Sequence, residues 1–580
     1  MASLGNLRLG GWDGGSGEGS RVQSLNAVDA VVFALYFVAI IGVGFWVARR
    51  KAQTADAYFL ADRDLPWYVV GTSYIASNIS TEHLIGMIGA AYIYGICVAL
   101  WEWHNVIAFS ILIWIFIPFL LASRVFTGPE FLERRFNSTC RLLFAVMTVV
   151  ANVTAFLAAV LYAGAVGLNA LFGWDIVLCT VLLGVTAGSY AIVGGMRSIA
   201  WTEVLQTVLI LAGGFLLTFL GLRALGEGSL SDGWSTMISR NLGEEAAWAE
   251  GIRRLAPTVL GEGATSYERL NLFQPPNHTL IPWWTLLFGW VATSIWYNCI
   301  NQFMIQRVLA ARDGWHARMG IVLAGFLKVI LPAVIVIPGL VYFAMDPSLD
   351  RAAADKGYAA LVMQLVSLGV RGVLLAALFG AIQSTVNSVL NSTSTIVTLD
   401  IWKRYFEPNM PERRSVTVGR LVTAVTLVLA MVLAPMIERI GSGVFVYIQN
   451  LYAHFAPAFS AIFILGILWR RATGRAAAWT IPIGLGASIA VGVVFPEMAL
   501  TVRPILIWAF CVVLMVVISL FDAPPPPECV TDDLTMNWRQ IGIFRGLGKP
   551  WYRNVLFWWL AFVACIAACY LAFSGLGLGR

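Results

Sequence analysis

Charge is what this sequence has least of. Only 12% of its 580 residues are charged and 59% are hydrophobic, where soluble domains carry about 25% charged residues. A water-soluble chain of this length needs a charged surface, so the deficit excludes a soluble globule. The net charge of +6 is modest, and in a membrane chain the distribution of Lys and Arg says more than their total. Cysteine is scarce as well. The eight present form no CxxC pair and no metal-type spacing, which leaves no cysteine metal site to propose. Cys97, Cys140, Cys179, Cys299, Cys511, Cys565 and Cys569 sit in or near apolar runs and suit helix packing, whereas Cys529 lies in a polar loop as a free thiol. A signal peptide is missing too: Met1 to Arg21 is rich in Gly and Ser, without a charged n-region or an apolar h-region. Residues 1–26 are expected to form a flexible tail.

What the chain has instead is apolar runs of about 20 residues, the length that a bilayer core of about 30 Å requires. Spans are expected near 27–48, 66–95, 98–122, 142–171, 174–193, 203–222, 282–306, 319–344, 366–400, 419–436, 441–468, 476–496, 502–521 and 554–577. Fourteen spans put both termini on one side. With the N-terminus outside, the inner loops hold 24 Lys and Arg, the outer segments hold 13, and Lys328 lies within a span. The excess of positive charge inside predicts both termini on the outer face of a cell membrane. Residues 226–281 are expected to form a small external cap. They include Asn277-His278-Thr279, which fits a glycosylation sequon of a kind common by chance. Residues 522–552, with Pro524 to Pro527, form an inner linker to the last span.

Two spans carry polar clusters that lipid would not tolerate on an intact helix. One runs Gly71-Thr72-Ser73-Tyr74-Ile75-Ala76-Ser77-Asn78-Ile79-Ser80-Thr81-Glu82-His83; the other runs Ala292-Thr293-Ser294-Ile295-Trp296-Tyr297-Asn298-Cys299-Ile300-Asn301-Gln302. Discontinuous helices of this kind hold substrate near the midplane of transporters built from inverted repeats. The two clusters open candidate repeats at 66–225 and 282–468, flanked by 27–65 and by the C-terminal segment 469–580. Ionisable groups inside spans are functional candidates by default: Glu102 in Trp101-Glu102-Trp103, Lys328 about ten residues into an apolar helix, and Glu203 at the opening of a span. A hydroxyl- and amide-rich helix follows, in which Ser384, Asn387, Ser388 and Asn391 recur at three- and four-residue spacing. Such residues often serve only as interhelical glue, but their density argues for an ion-binding face completed by unwound carbonyls of another helix. Gln449 belongs to an isolated amide pair with Asn450. His83 lacks His or Cys partners at ligand spacing, so a hydrogen-bonding role beside the unwound segment suits it better than a metal.

At these residues the chain resembles the sodium/solute symporter family, in its sodium/glucose cotransporter branch, over about 27 to 520. The matching stretches include Ala76-Ser77-Asn78-Ile79, Glu102-Trp103, Gly128-Pro129-Glu130-Phe131-Leu132-Glu133-Arg134-Arg135-Phe136 and Ile192-Val193-Gly194-Gly195-Met196. Further matches are Trp201-Thr202-Glu203-Val204-Leu205-Gln206-Thr207, Asn301-Gln302-Phe303-Met304-Ile305-Gln306-Arg307, Leu390-Asn391-Ser392-Thr393-Ser394-Thr395 and Tyr447-Ile448-Gln449. The resemblance implies an all-α polytopic fold, the LeuT-type five-plus-five inverted repeat with extra flanking helices. It implies a sodium site made by carbonyls of Ala76, Ile79 and Ala381 and hydroxyls of Ser384 and Thr385. It implies a sugar held among Asn78, His83, Glu102, Ser294, Tyr297, Lys328 and Gln449, with Tyr297 as inner gate and Met87, Trp101 and Phe445 above. Asn298 stands where sugar transporters of this branch often have Trp, and Asn105 stands near Glu102 at a position that varies. Some members bind a second sodium; the corresponding positions here are Glu203, Asn387 and Ser388.

The expected function is sodium-coupled inward symport of a hexose or similar polyol, with sodium as coupling ion and no organic cofactor or nucleic acid. Two rivals stand beside it. One is symport of another solute by the same fold, such as a carboxylate, sialic acid, amino acid or inositol. The other is a solute sensor with a transporter fold. An anion would want an uncompensated cation, and Lys328 is matched by Glu102. No nucleophile–base pair or metal cluster appears in the spans, so an enzyme is not expected.

Overall fold

The computed structural model describes residues 27–49, 53–80, 82–350, 354, 357–367, 369–440, 444–496, 498, 501–538, 544 and 546–577. The expected tail at 1–26 lies outside them. The described residues form helices and no strand; a single isolated bridge joins Leu65 and Ala311. Among the described residues, 11 helices are long and apolar enough to cross a membrane. This criterion does not reach the expected fourteen. It joins neighbouring segments, as in Ile176–Leu225, and it passes over the interrupted stretch Thr285–Leu309. At 1.5 Å per residue the 50 residues of Ile176–Leu225 would run about 75 Å, well beyond one bilayer crossing. Gly195 interrupts them at φ 58°, a conformation that only a residue without Cβ adopts freely.

Both expected breaks are present. The helix Trp67–Asn78 stops where Ile79 turns extended (ψ 118°), and the chain resumes helical turns at Glu82. The helix Thr285–Ile295 widens through Trp296–Ile300, then Asn301 turns extended (ψ 125°) before the half-helix Gln302–Leu309. At the first break the Ser80 hydroxyl accepts the backbone N–H of Glu82 at 3.1 Å, a side-chain bond of the kind that competes with the helix.

Burial explains how so polar a chain segment survives in lipid. In Arg371–Phe406, which holds the hydroxyl-rich stretch, 94% of an 18-residue apolar window is buried, whereas the corresponding windows of Ala27–Ala48 and Val555–Ala572 are each 17% buried. The polar helix is enclosed by protein and the peripheral helices meet lipid, as a bilayer demands. Against this core, Trp67–Asn78 crosses Gly314–Met345 closely: a Cβ on Gly71 would stand 2.5 Å from the Gly320 carbonyl oxygen.

Residues 226–281, the expected external cap, build the helices Leu230–Leu242 and Ala246–Leu260. This segment is stapled to the first broken span by Arg269, which is 1% exposed. Its guanidinium donates to the carbonyls of Ala91, Tyr92 and Ile93 at 3.3, 2.7 and 3.1 Å, closing the C-terminal end of Ile88–Tyr94. A cation there also meets the negative end of the helix dipole. His278 ties the far side of the cap: its Nδ1 accepts the backbone N–H groups of Leu280 and Ile281 at 3.1 and 2.9 Å. Burial pushes this imidazole down to about 3, below its usual value of about 6.5. The unfolded chain therefore binds a proton that the folded one refuses between those values, and stability falls as pH drops through that window. The melting temperature of the purified protein should decline below about pH 6.5, and His278→Asn should flatten the slope. An identical slope in the variant would reject this assignment.

Candidate functional site

The two broken spans, the short helix Leu100–Trp103 and the helices Gly314–Met345 and Val444–Leu468 converge on one cavity. Asn78, His83, Glu102, Ser294, Tyr297, Asn298, Lys328 and Gln449 all line it, with Met87 and Trp101. Phe445 falls in the helix Val444–Leu468, but its side chain lies outside the described residues. Glu82, Asn105, Thr293 and Tyr452 line the cavity as well; of these only Asn105 drew notice in the sequence as a site neighbour.

Lys328 is the hub of the polar side. Its ammonium donates to Glu102 Oε2 at 2.5 Å and to the Asn78 side-chain carbonyl. Lys328 and Glu102 are 2% and 1% exposed, so both charges are held inside the protein. Glu102 Oε1 also faces His83 Nε2 at 3.2 Å, while Nδ1 of that ring accepts the Ser80 backbone N–H at 3.3 Å. With Nδ1 accepting, the proton of a neutral imidazole sits on Nε2 and points at the carboxylate. Across the cavity Asn105 Oδ1 accepts from Ser294 Oγ and Asn298 Nδ2, both at 2.7 Å. Gln449 Nε2 donates to Glu82 Oε1 at 2.6 Å. Tyr297 sits in an aromatic floor with Phe303 and Tyr452, ring centres 5.7 and 5.6 Å away. The space left among these groups is about 50 Å³, room for a few waters. A hexose needs more, so these side chains must part to admit one.

Directly beside the cavity the first break meets the hydroxyl-rich helix. Ser384 Oγ donates to the carbonyls of Ala76 at 2.7 Å and Ala381 at 3.0 Å. Thr385 Oγ1 lies 3.3 Å from the Ile79 carbonyl and 3.4 Å from that of Ser77. The five oxygens assigned to sodium therefore meet in one cluster without formal charge, a donor set that suits a hard cation bound reversibly. Removing one hydroxyl from so few ligands should raise the sodium needed for half-maximal uptake about tenfold, the effect of about 1.4 kcal/mol. Ser384→Ala and Thr385→Ala test this, with the sodium titration read on folded protein, because the bared carbonyls lower melting as well. An unaltered sodium dependence in both would remove the site.

The second-ion candidates separate. Glu203 and Ser388 lie together: Glu203 Oε1 accepts from Ser388 at 2.5 Å and from Ser77 at 3.0 Å, and Oε2 accepts from Ser73. Asn387 does not join them; its Nδ2 donates to the Tyr190 hydroxyl at 2.5 Å. Arg307 corrects the sequence expectation further. Counted among the inner-loop cations, it is instead 1% exposed and pairs with Glu203 at 2.8 Å. Glu203 is thus a buried ion-pair partner, not an interfacial charge.

The sodium:solute symporter family matches residues 58–484 of this chain. A sodium/glucose cotransporter of Vibrio parahaemolyticus is 36% identical over 487 residues, covering 80% of this chain and 84% of that protein. A sodium/mannose cotransporter of Bos taurus is 32% identical over 488 residues, covering 81% and 79%. A solved structure of a Na⁺-coupled sialic acid symporter, substrate-bound and outward-open, has a TM-score of 0.72 at 20% identity, covering 86% of this chain and 99% of that one. This likeness shows the fold, the LeuT-type arrangement expected from the sequence. On the extent of the family match, the chain is a multi-pass membrane protein that belongs to the sodium:solute symporter family.

Proposed function

We propose that the protein carries a neutral sugar inward together with sodium, with both termini on the outer face. One observation carries the coupling: a single four-residue stretch serves both ligand sites. The carbonyls of Ala76 and Ile79 face Ser384 and Thr385, while the side chain of Asn78 between them enters the polar cavity. Sodium ligated there fixes the backbone that presents Asn78 to the solute, and solute bound there stiffens the ion site. Two ligands that order the same element bind cooperatively.

The charge balance of the cavity favours a neutral cargo. One ammonium, Lys328, stands among two carboxyl groups, Glu102 and Glu82, so a carboxylate would find no unmatched cation. The amides, hydroxyls and the Glu102–Lys328 pair supply donors and acceptors in turn, as a polyol requires. The names of the sodium/glucose and sodium/mannose relatives agree with this class. In proteoliposomes offered labelled hexoses, inositols and carboxylates, uptake should require sodium and favour a hexose or similar polyol. Sodium-driven uptake of a carboxylate in preference to every sugar would overturn the reading.

A further inference from the structure

A second, larger hollow of about 740 Å³ opens where four chain segments end on the face of the expected inner loops. Arg49 follows the helix Ala27–Ala48, Arg197 follows the Gly195 kink, and Arg312 precedes the helix Gly314–Met345. Asp64, just before Trp67–Asn78, is the carboxylate in their midst: Arg312 Nε lies 2.8 Å and Arg197 Nη2 3.6 Å from it. Arg49 makes no ion pair among the described residues. His316 also lines the hollow, its ring held by Asp313 at 3.0 Å. Three guanidiniums against one lining carboxylate leave a net positive pocket.

Its walls are aromatic. Trp46, Trp67, Tyr68 and Trp201 line it, and Trp46 and Tyr68 are 68% and 42% exposed. Exposed Trp and Tyr at helix ends mark the level of lipid headgroups. Trp67 is shared with an adjoining apolar groove of about 610 Å³, lined by Met319, Val322, Phe326 and Trp558. That groove runs between the helix Gly314–Met345 and the peripheral helix Val555–Ala572. A basic pocket at headgroup level thus continues into an apolar channel along the bilayer.

We propose that this paired hollow binds an anionic phospholipid, its phosphate among Arg49, Arg197 and Arg312 and an acyl chain in the groove beyond Trp67. Guanidiniums present paired N–H donors that match phosphate oxygens, and basic pockets between membrane helices suit anionic headgroups. A zwitterionic lipid would bring its own ammonium to the arginines and gain less. Free phosphate would leave the groove unused. The site is independent of which solute is carried.

The test uses the full-length protein, stripped of lipid in detergent and titrated by native mass spectrometry. Phosphatidylglycerol should bind at least tenfold tighter than phosphatidylethanolamine. Arg49→Gln, which breaks no ion pair, should weaken it at least threefold, and Arg49→Gln/Arg197→Gln/Arg312→Gln at least tenfold. Leu323→Trp, at a half-buried position that lines the groove, leaves the arginines in place and should weaken phosphatidylglycerol while binding of inorganic phosphate stays unchanged. Arg413→Gln/Arg414→Gln, outside the hollow, should change nothing. Equal binding of the two lipids, or undiminished binding by Arg49→Gln, would overturn the proposal. Displacement of the lipid by millimolar inorganic phosphate would assign the pocket to free phosphate instead.

Discussion

Lys328→Ala should weaken sugar binding more than a hundredfold and lower the stability of the protein with it. Lys328 and Glu102 share one dry pocket at 2.5 Å. Breaking a buried pair by removing one partner costs about 3–5 kcal/mol, because a charge is left without compensation. Two hydrogen-bond acceptors, Glu102 Oε2 and the Asn78 carbonyl, lose their donor together. Stability and binding can be told apart with the double variant Glu102→Leu/Lys328→Met. Replacing both members of a buried pair by groups of similar volume is often neutral, so this protein should fold and insert. It should still fail to bind sugar, since the donor and acceptor aimed at the hydroxyls are gone. Gln449→Ala should have a smaller effect in the same direction. Full sugar affinity in the double variant would remove the pair from the binding site. Loss of carboxylate uptake on Lys328→Ala alone, in a protein found to carry carboxylates, would make the cation itself the recognition element.

Arg307→Ala should be nearly as damaging, for a different reason. Glu203 is saturated: Arg307, Ser77 and Ser388 crowd Oε1, and Ser73 occupies Oε2. The guanidinium already neutralises the carboxylate, so little field remains to attract a second cation. A reversal potential measured at known sodium and sugar gradients should therefore give one sodium per sugar. Removing Arg307 leaves Glu203 buried and alone, with a penalty again of about 3–5 kcal/mol, and should deplete folded protein more than a hundredfold relative to unfolded. Glu203→Gln/Arg307→Gln should restore folding. A ratio near two in the unaltered protein, lost on Glu203→Gln, would show that a second sodium does bind there and that the pairing with Arg307 yields to it.

Much of this geometry was legible before any coordinates. The clusters around Asn78 and Asn301 stood out because a run of polar residues inside a span has few explanations other than a discontinuous helix. Glu102 and Lys328 stood out because a charge in lipid must find a partner, and each was the other's nearest candidate. Face arguments on the hydroxyl-rich helix fared less well. Periodicity set Ser384, Asn387, Ser388 and Asn391 on one side, yet Ser384 and Ser388 meet Ala76 and Glu203 while Asn387 and Asn391 turn to Tyr190 and Met196. A helix enclosed on every side has no outward face, so spacing alone cannot say which neighbour each side chain meets. Arg307 was misplaced for a related reason: an arginine just past an apolar run looks like a loop residue unless the half-helix after Asn301 is known to be buried. Glu82 and Gln449 lie 367 positions apart, and nothing local to either announces the other.

The hydroxyls of Ser384 and Thr385 have one more consequence. In the proposed sodium site Ser384 serves the carbonyl of Ala76 and Thr385 that of Ile79. Buried carbonyls stripped of a partner would each impose a penalty of about 1–3 kcal/mol, and an ion-free carrier would be trapped wherever water could still reach them. Each hydroxyl is a small rotor that can offer a hydrogen to the carbonyl or, turned away, a lone pair to a cation. The return stroke of the transport cycle, in which the unloaded protein swings back to collect its next cargo, then meets no barrier from orphaned backbone.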